Sequence, residues 1–257
     1  MIIARYQAGT ITTYGIREAD GCYRRLAGSP FDSLSTTATV DGPDAIRLLA
    51  PVMPPRIFGV GLNYVSHIKE SGHPAPTFPM LFMKPPTAVI GPGEAIIYPR
   101  QGQEVHFEGE LAAVIGRSAR RVPEKQALDY VLGYTCANDV SERKIQFAEM
   151  ATGCLLVGKS FDTFCPLGPV IATGLDPANL ELKARVNDRP RQSINTSDLL
   201  FSVARLVAYL SDAITLLPGD VIITGTPAGV GPVQPGDTVD IEISGIGVLS
   251  NPVAAEA

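Results

Sequence analysis

The sequence predicts an α+β fold dominated by strands, and three observations lead to this expectation. First, the 257 residues include 25 glycines and 22 prolines, a share above average usage, so turns are many and long helices few. Second, β-branched runs at residues 221–224 and 239–243 lie between turn signals such as Pro235-Gly236-Asp237. Third, apolar residues recur at helical spacing in only a few segments.

Charge and hydropathy narrow the class of protein. The 26 acidic and 21 basic side chains give a net charge of -5 with no Lys/Arg block, which argues against nucleic acid as a partner. No apolar run approaches the roughly 18 residues of a membrane span, so we expect no membrane role and a cytoplasmic protein. The cysteines form no Cys-x-x-Cys pair and are expected to be reduced, buried and structural: Cys22, Cys136, Cys154 and Cys165.

The N-terminal part predicts a small β-rich domain. Residues 1–7 and 10–16 have strand-like composition, a turn is expected at Asp20-Gly21, and residues 43–50 form a short amphipathic stretch. The proline-rich segment 51–55 is a stiff connector. We therefore place a domain boundary there, with a small N-terminal domain at 1–53 and the main domain at 54–257.

Three later segments predict helices. Residues 123–132 carry Pro123 near their start and have a glycine just past their end. From Asp198, which could cap a helix, apolar residues recur at helical spacing until Pro218, a pattern that we interpret as core packing. Residues 63–72 allow two helical turns.

Acidic residues adjoin a strand that the pattern predicts to be buried on both faces. Residues 111–115 are all apolar, and Glu108 and Glu110 lead directly into them. Side chains alternate along a strand, so the two glutamates and His106 should share a face. Asp139 lies in a second strand-like run. Three such carboxylates suit Mg²⁺ or Mn²⁺. The alternative is that they only form a solvated strand edge. An iron site on His106 would need a second histidine nearby.

A histidine and a glutamate three residues apart predict a pair on one helical face. His67 and Glu70 have this spacing. A carboxylate against an imidazole raises its basicity, which would make His67 a general base for water. From the spacing alone, a surface ion pair is the alternative.

One segment matches the nucleotide-binding pattern G-x-x-x-x-G-K-S. It runs from Gly153 to Ser160. A working phosphate-binding loop follows a strand and opens a helix, whereas here helix-compatible residues precede the segment and an aromatic, proline-broken stretch follows it. We therefore expect no nucleotide site, although a nucleotide-dependent enzyme stays open as a hypothesis of another class.

The ordered set of strings between residues 56 and 253 resembles the fumarylacetoacetate hydrolase family. The matching strings are residues 59–64 (GVGLNY) with His67, 82–85 (FMKP), 106–116 (HFEGELAAVIG), 129–134 (DYVLGY), 138–139 (ND), 158–162 (GKSFD) and 224–231 (TGTPAGVG). The resemblance implies a mixed β-sandwich roll, a homodimer, and Mg²⁺ or Mn²⁺ held by Glu108, Glu110 and Asp139.

The same resemblance implies roles for further residues. The substrate would be a small 2-oxo or 2-hydroxy acid, and Lys159 would stabilise its enolate. The residues implied to contact the substrate are Tyr64, Arg143, Gln146 and Thr226. Separately, because so short a helix is marginal in isolation, we expect the segment 63–72 to form a lid that orders on ligand binding.

We expect a metal-dependent hydrolase that cleaves a carbon–carbon bond in acylpyruvate-type 2,4-diketo acids, with His67 and Glu70 as the base. The alternatives within the family are an oxaloacetate decarboxylase and a 2-hydroxyhepta-2,4-diene-1,7-dioate isomerase or the related 5-carboxymethyl-2-oxo-hex-3-ene-1,7-dioate decarboxylase. Leu62 leaves the specificity open, since acylpyruvate hydrolases and related oxaloacetate decarboxylases of the family often carry arginine there, whereas the isomerase-decarboxylases can carry leucine. The His67 and Glu70 pair favours hydrolysis. A catalytically silent binding module on the same fold is the remaining alternative.

Overall fold

A computed structural model describes all residues from 1 to 257 and shows a chain with 42% strand and 18% helix, which confirms the strand-dominated prediction. The strands are β1 (Ile2–Ala8), β2 (Ile11–Arg17), β3 (Tyr23–Leu26), β4 (Thr36–Asp41), β5 (Ile46–Leu48), β6 (Ile57–Gly61), β7 (Met80–Lys84), β8 (Val89–Ile90), β9 (Ile96–Tyr98), β10 (Val105–Phe107), β11 (Gly109–Ile115), β12 (Val131–Asn138), β13 (Ser141–Glu142), β14 (Cys165–Ala172), β15 (Glu181–Val186), β16 (Arg189–Asn195), β17 (Val221–Ile223), β18 (Gly231–Pro232), β19 (Thr238–Ile243) and β20 (Gly247–Ala255). The α-helices are α1 (Val65–Ser71), α2 (Arg143–Met150), α3 (Val157–Ser160) and α4 (Val203–Ala213). Short 3-10 helices cover Pro43–Ala45, Pro86–Ala88, Glu124–Tyr130 and Thr196–Asp198.

A large mixed sheet forms the centre of the molecule. Its twelve strands include the path β4-β3-β2-β1-β14-β12-β11-β17-β6-β7, in which β17 and β6 are parallel. Because β1 pairs with β14, the N-terminal strands continue the same sheet as the strands of the main domain. A separate N-terminal domain over 1–53 stays a prediction.

Strand β11 is buried on both faces, as its apolar run predicts. Leu111 and Ala113 belong to one core, whereas Ala112 and Val114 belong to a second core on the opposite face. A five-stranded sheet, ordered β16-β15-β19-β20-β9, supplies residues such as Ile241 to the first core. The two packed sheets agree with the predicted sandwich architecture.

Two expected helices differ from the structure, and in these segments, as in the amphipathic stretch 43–50, strand pairing competes with the local pattern. Residues 123–132 form a 3-10 helix only to Tyr130, and the chain then enters β12, which pairs with β11. Within 43–50, residues 46–48 form β5 and pair with β1. Helix α4 begins at Val203, capped by Ser202 and not by Asp198, because Leu199 is extended and bridges to Tyr64.

Two further expectations concern helix length and cysteines. None of the helices has the length and hydropathy that a membrane span requires. Cys136 and Cys165 are buried as predicted, but the prediction is wrong for the other two: Cys154 is exposed and Cys22 is half-buried. Cys154 lies in the exposed stretch between α2 and α3, where no packed element covers it.

Candidate active site

Three carboxylates converge where two neighbouring strands meet. Glu108 lies between β10 and β11, Glu110 lies on β11, and Asp139 directly follows β12. The Asp139 N–H donates to the Glu108 carbonyl at 2.9 Å, which fixes the two segments to each other. One carboxylate oxygen from each residue lies within 4.8 Å of the others, and all three side chains are buried. The structure thus brings together the three residues predicted to hold a metal ion.

Buried cations contact two of these carboxylates. Lys159 Nζ lies 2.8 Å from Glu108 and 2.6 Å from Asp139, Arg143 Nη2 lies 2.5 Å from Glu108, and Lys84 Nζ lies 2.5 Å from Asp139. Burial raises the pKa of Glu108, but the charges of Lys159 and Arg143 outweigh burial and hold this pKa below its ordinary value. Burial lowers the pKa of Lys159, but Asp139 and Glu108 more than offset it, so the lysine stays charged.

Glu110 differs from the other two because it forms no ion pair. Its carboxylate accepts a hydrogen bond from the Gly225 N–H at 2.7 Å. Burial, followed by the charges of Asp139 and Glu108, raises its pKa well above the ordinary value. An oxygen-only, anionic donor set with one uncompensated member fits a hard divalent cation such as Mg²⁺ or Mn²⁺.

The predicted histidine–glutamate pair is present on α1. His67 Nδ1 lies 2.9 Å from Glu70 Oε2, and the other carboxylate oxygen of Glu70 accepts from the Gly229 N–H at 3.0 Å. Gly229 has φ +97°, and a Cβ atom there would lie 2.2 Å from the Arg191 carbonyl, so only glycine fits at this position. Helix α1 ends at Ser71 and is followed by Gly72 in the left-handed conformation.

His67 and the three carboxylates line one cavity of about 390 Å³. Part of its wall is apolar, and Met80, Phe147 and Met150 are themselves solvent-exposed, so this part lies toward the cavity mouth. The apolar lining residues are Val60, Leu62, Met80, Phe82, Phe147, Met150, Leu155 and Val230. Because Leu62 has φ 50°, a backbone conformation that is uncommon for a residue other than glycine, this wall includes a strained position.

The residues predicted to contact substrate do not all reach the cavity. Arg143, Gln146 and Thr226 line it, and Arg143 Nη1 donates to Gln146 Oε1 at 2.7 Å. Tyr64 is fully buried outside the lining, and its hydroxyl has no hydrogen-bond partner. His106 lines the cavity but contacts Glu104 through Nε2 at 3.0 Å, so it lies outside the group of three carboxylates.

Backbone N–H groups of the segment that matches the nucleotide-binding pattern already bind a carboxylate of the protein itself. The Glu149 carboxylate accepts hydrogen bonds from the N–H groups of Leu156, Val157 and Gly158 at 3.1, 2.7 and 3.0 Å. The helix that follows, α3, has only four residues. Three amides that could bind phosphate are therefore occupied by a side chain, and this arrangement positions Lys159 at the next residue.

Sequence reasoning missed four polar residues that organise the site. Lys84 lies in a string quoted for the family resemblance, yet no role was expected for it. Glu142 is buried and accepts from three backbone N–H groups, which fixes the start of α2. Glu149 holds α3, and Gln192 reaches the site from the second sheet. In the sequence, each of them is a polar residue within or beside a strand or helix. That pattern alone does not identify the group that the residue contacts.

Comparison with known proteins identifies the family. The profile "Fumarylacetoacetate (FAA) hydrolase C-terminal" matches residues 56–254. The chain belongs to the fumarylacetoacetate hydrolase family. Its members include a mitochondrial oxaloacetate tautomerase of Xenopus laevis, 45% identical over 81% of this chain and 68% of the relative.

Two solved structures of the fumarylacetoacetate hydrolase family are similar to this fold. One is a 5-carboxymethyl-2-hydroxymuconate delta-isomerase from Mycobacterium smegmatis, 44% identical over the full length of both chains, with a TM-score of 0.93. The other is a fumarylpyruvate hydrolase from Pseudomonas aeruginosa in complex with Mn²⁺ and pyruvate, 35% identical over 82% of this chain and 92% of that one, with a TM-score of 0.76. The protein is therefore an enzyme of this family, whose named members catalyse hydrolysis, isomerisation and tautomerisation.

Proposed function

We propose that the protein is a divalent-metal-dependent hydrolase that cleaves a carbon–carbon bond in acylpyruvate-type 2,4-diketo acids. The observation that carries this proposal is the placement of His67, which Glu70 contacts, and of the Lys159–carboxylate cluster on the walls of one cavity. The Mn²⁺ and pyruvate bound by the similar Pseudomonas hydrolase support a site for a 2-oxo acid.

The residues of the site divide the reaction between them. Mg²⁺ or Mn²⁺, held by Glu108, Glu110 and Asp139, would supply positive charge that stabilises a developing enolate. The Nδ1–H of His67 donates a hydrogen bond to Glu70. Nε2 then carries no proton and is able to take one from water.

The bond changes then follow from the position of this base. The water oxygen bonds to the distal carbonyl carbon, the carbon–carbon bond breaks, and its electron pair passes to the pyruvate fragment as an enolate. The charged Lys159 Nζ stabilises that enolate electrostatically. Return of the proton from His67 to the enolate carbon gives pyruvate and restores the base, and the other product is a carboxylic acid.

The cavity wall supports substrates with an apolar acyl group. Arg143, Gln146 and Thr226 would contact the oxygen-rich end of the substrate, while the exposed Phe147 and Met150 would contact its tail. The cationic side chains Arg143 and Lys159 on this wall are already paired with Glu108, so no unpaired lysine or arginine of the lining is available for a second carboxylate.

The second candidate is an enol-forming reaction without hydrolysis: tautomerisation or decarboxylation of oxaloacetate, or isomerisation of a dienedioate. The similarity to the Mycobacterium smegmatis isomerase along the whole chain favours it, as does the lysine–carboxylate cluster, which can stabilise an enolate without activating water.

Product analysis separates the two candidates. Purified enzyme would be incubated with acetylpyruvate, fumarylpyruvate, oxaloacetate and a dienedioate, with and without a chelator. We expect pyruvate release from acetylpyruvate and, more slowly, from fumarylpyruvate with its second carboxylate, loss of that activity with the chelator, and its return with Mn²⁺. Full activity after metal removal would refute metal dependence, and isomerisation without cleavage would establish the second candidate.

We also propose that the protein is a homodimer in the cytoplasm. Met80, Leu81 and Met83 are exposed on β7, the edge strand of the large sheet, and Leu156 and Val157 extend this apolar surface. An exposed apolar edge favours an interface between two copies. Light scattering tests the assembly: Leu81→Glu should shift the mass from dimer to monomer. A monomeric wild type would contradict the proposal.

The four unpaired cysteines support the proposed location in the cytoplasm, which is a reducing compartment.

A further inference from the structure

Gln192 lies on β16, in the five-stranded sheet, yet its side chain ends between the acidic segment and the glycine-rich loop that follows β17. The side chain is 2% exposed and does not line the cavity. A Cβ atom on Gly109 would lie 2.9 Å from Gln192 Oε1, so a larger residue between the two predicted metal-binding glutamates would displace this amide group.

The orientation of the Gln192 amide is fixed by its partners. Its Oε1 accepts from the Gly109 N–H at 3.0 Å, and its Nε2 donates to the Pro227 carbonyl at 2.8 Å. A backbone N–H can only donate and a carbonyl can only accept, so the reverse assignment of oxygen and nitrogen would place like groups together. The second proton of Nε2 therefore points to Thr226 Oγ1, 2.8 Å away.

The hydrogen bond from Gln192 determines to which side the Thr226 hydroxyl accepts and to which side it can donate. Because Oγ1 accepts from Gln192, its own proton must go to another acceptor. Here that acceptor is the Gly109 carbonyl, at 3.0 Å. Thr226 also lines the cavity, so the same proton can turn to an anionic ligand without breaking the bond from Gln192.

We infer that Gln192 is a positioning residue that keeps Thr226 a hydrogen-bond donor toward the carboxylate of the 2-oxo acid substrate. The inference rests on the proposed function, in which Thr226 contacts that carboxylate. Gln192 touches neither the substrate nor the three carboxylates and acts through Thr226. Because Gln192 fixes Oγ1 as an acceptor on one side, the Thr226 proton only has to turn from the Gly109 carbonyl to the carboxylate, so less ordering is needed on binding.

A double-mutant cycle tests this role through ligand binding. Calorimetry would measure Mn²⁺ affinity, and then pyruvate affinity in saturating Mn²⁺, for the wild type, Gln192→Met, Thr226→Val and the double variant. We expect each single variant to weaken pyruvate binding about tenfold or more, the loss typical of a hydrogen bond to a charged group. The double variant should bind no more weakly than Thr226→Val, because both changes remove the same interaction. Mn²⁺ affinity should stay within about threefold of the wild type.

Gln192→Glu provides a second variant if the methionine variant does not fold. It keeps the acceptor for Gly109 but would take the Thr226 proton for itself, so pyruvate should bind at least as weakly as to Gln192→Met. Gln126→Glu adds the same charge at an exposed position and should bind pyruvate like the wild type.

The outcomes distinguish the inference from the proposed function. If wild-type enzyme with Mn²⁺ does not bind pyruvate, the proposed function fails and the inference fails with it. If the wild type binds but the Gln192 variants bind equally well, the inference alone is wrong. Additive losses in the double variant, or equal losses of Mn²⁺ and pyruvate affinity, would show that Gln192 only supports the fold and would also overturn it.

Discussion

Replacing Glu149 by glutamine tests whether this carboxylate holds the segment that carries Lys159. Its Oε2 accepts from the N–H groups of Leu156 and Gly158, and its Oε1 accepts from Val157. Glutamine keeps the shape but has only one acceptor oxygen, and in its better orientation this oxygen faces Leu156 and Gly158 while the NH₂ group faces the Val157 N–H. One of the three hydrogen bonds should therefore be lost, and the other two lose the charge of their acceptor.

The expected magnitude follows from the number and exposure of these bonds. At a half-exposed position the lost bond contributes about 1 kcal/mol and the weakening of the other two about 1 kcal/mol more, so Glu149→Gln should cost about 2 kcal/mol of local stability. Since 1.36 kcal/mol corresponds to a factor of ten, local opening should become roughly thirty times more frequent. Amide exchange of residues 156–158 should accelerate by that factor, and kcat should fall because Lys159 is less often in place.

Hydrogen exchange measured by mass spectrometry on a peptide that covers residues 151–160 provides the assay. Glu242→Gln serves as the control, because it removes a carboxylate paired with Arg185 on the second sheet. Although burial raises the pKa of Glu149, the three backbone N–H groups hold it below its ordinary value of 4.5. The stabilisation is therefore complete above pH 4.5 and is lost as the pH falls through the lowered pKa. Unchanged exchange in Glu149→Gln at neutral pH would refute the reasoning.

Three further predictions concern the base, the tail and the fold. His67→Ala should lower kcat for acylpyruvate hydrolysis by about a hundredfold or more with unchanged Mn²⁺ affinity; normal hydrolysis would mean that another group is the base. Phe147→Ala should raise KM for an aromatic acylpyruvate but not for acetylpyruvate, and an equal rise for both would place the tail elsewhere. Asp220→Asn should lower the free energy of unfolding in urea by about 2–3 kcal/mol, because the fully buried carboxylate accepts from Arg56 and from the Leu217 N–H; an unchanged urea midpoint would contradict this.

The convergence of the three carboxylates was predictable because it depends on local rules. Alternation along a strand places Glu108 and Glu110 together, and the adjacent pairing of β11 and β12 adds Asp139. The helix that carries His67 was predictable for the same reason, since its spacing and its glycine stop are local signals.

The remaining features depend on contacts between distant segments. Gln192 is separated from Gly109 by 83 positions and approaches it only because the second sheet packs on β11. Asp198 looked like a helix cap, but its carboxylate accepts from the Ser66 N–H, 132 positions away, and thereby holds the start of α1. No local pattern specifies such a partner, so a sequence alone predicts the polar residue but not its contact.

The pairing of β1 with β14 has a consequence for solubility. The family profile begins at residue 56, so the sheet built from the matched residues alone would leave the backbone groups of β14 around Ile171 without a neighbouring strand. Such an apolar border invites pairing with other chains. The N-terminal strands move the border outward to β4, a six-residue strand whose side chains are mostly exposed and include three threonines. The N-terminal strands thus cover an edge that would otherwise be open to pairing with another chain.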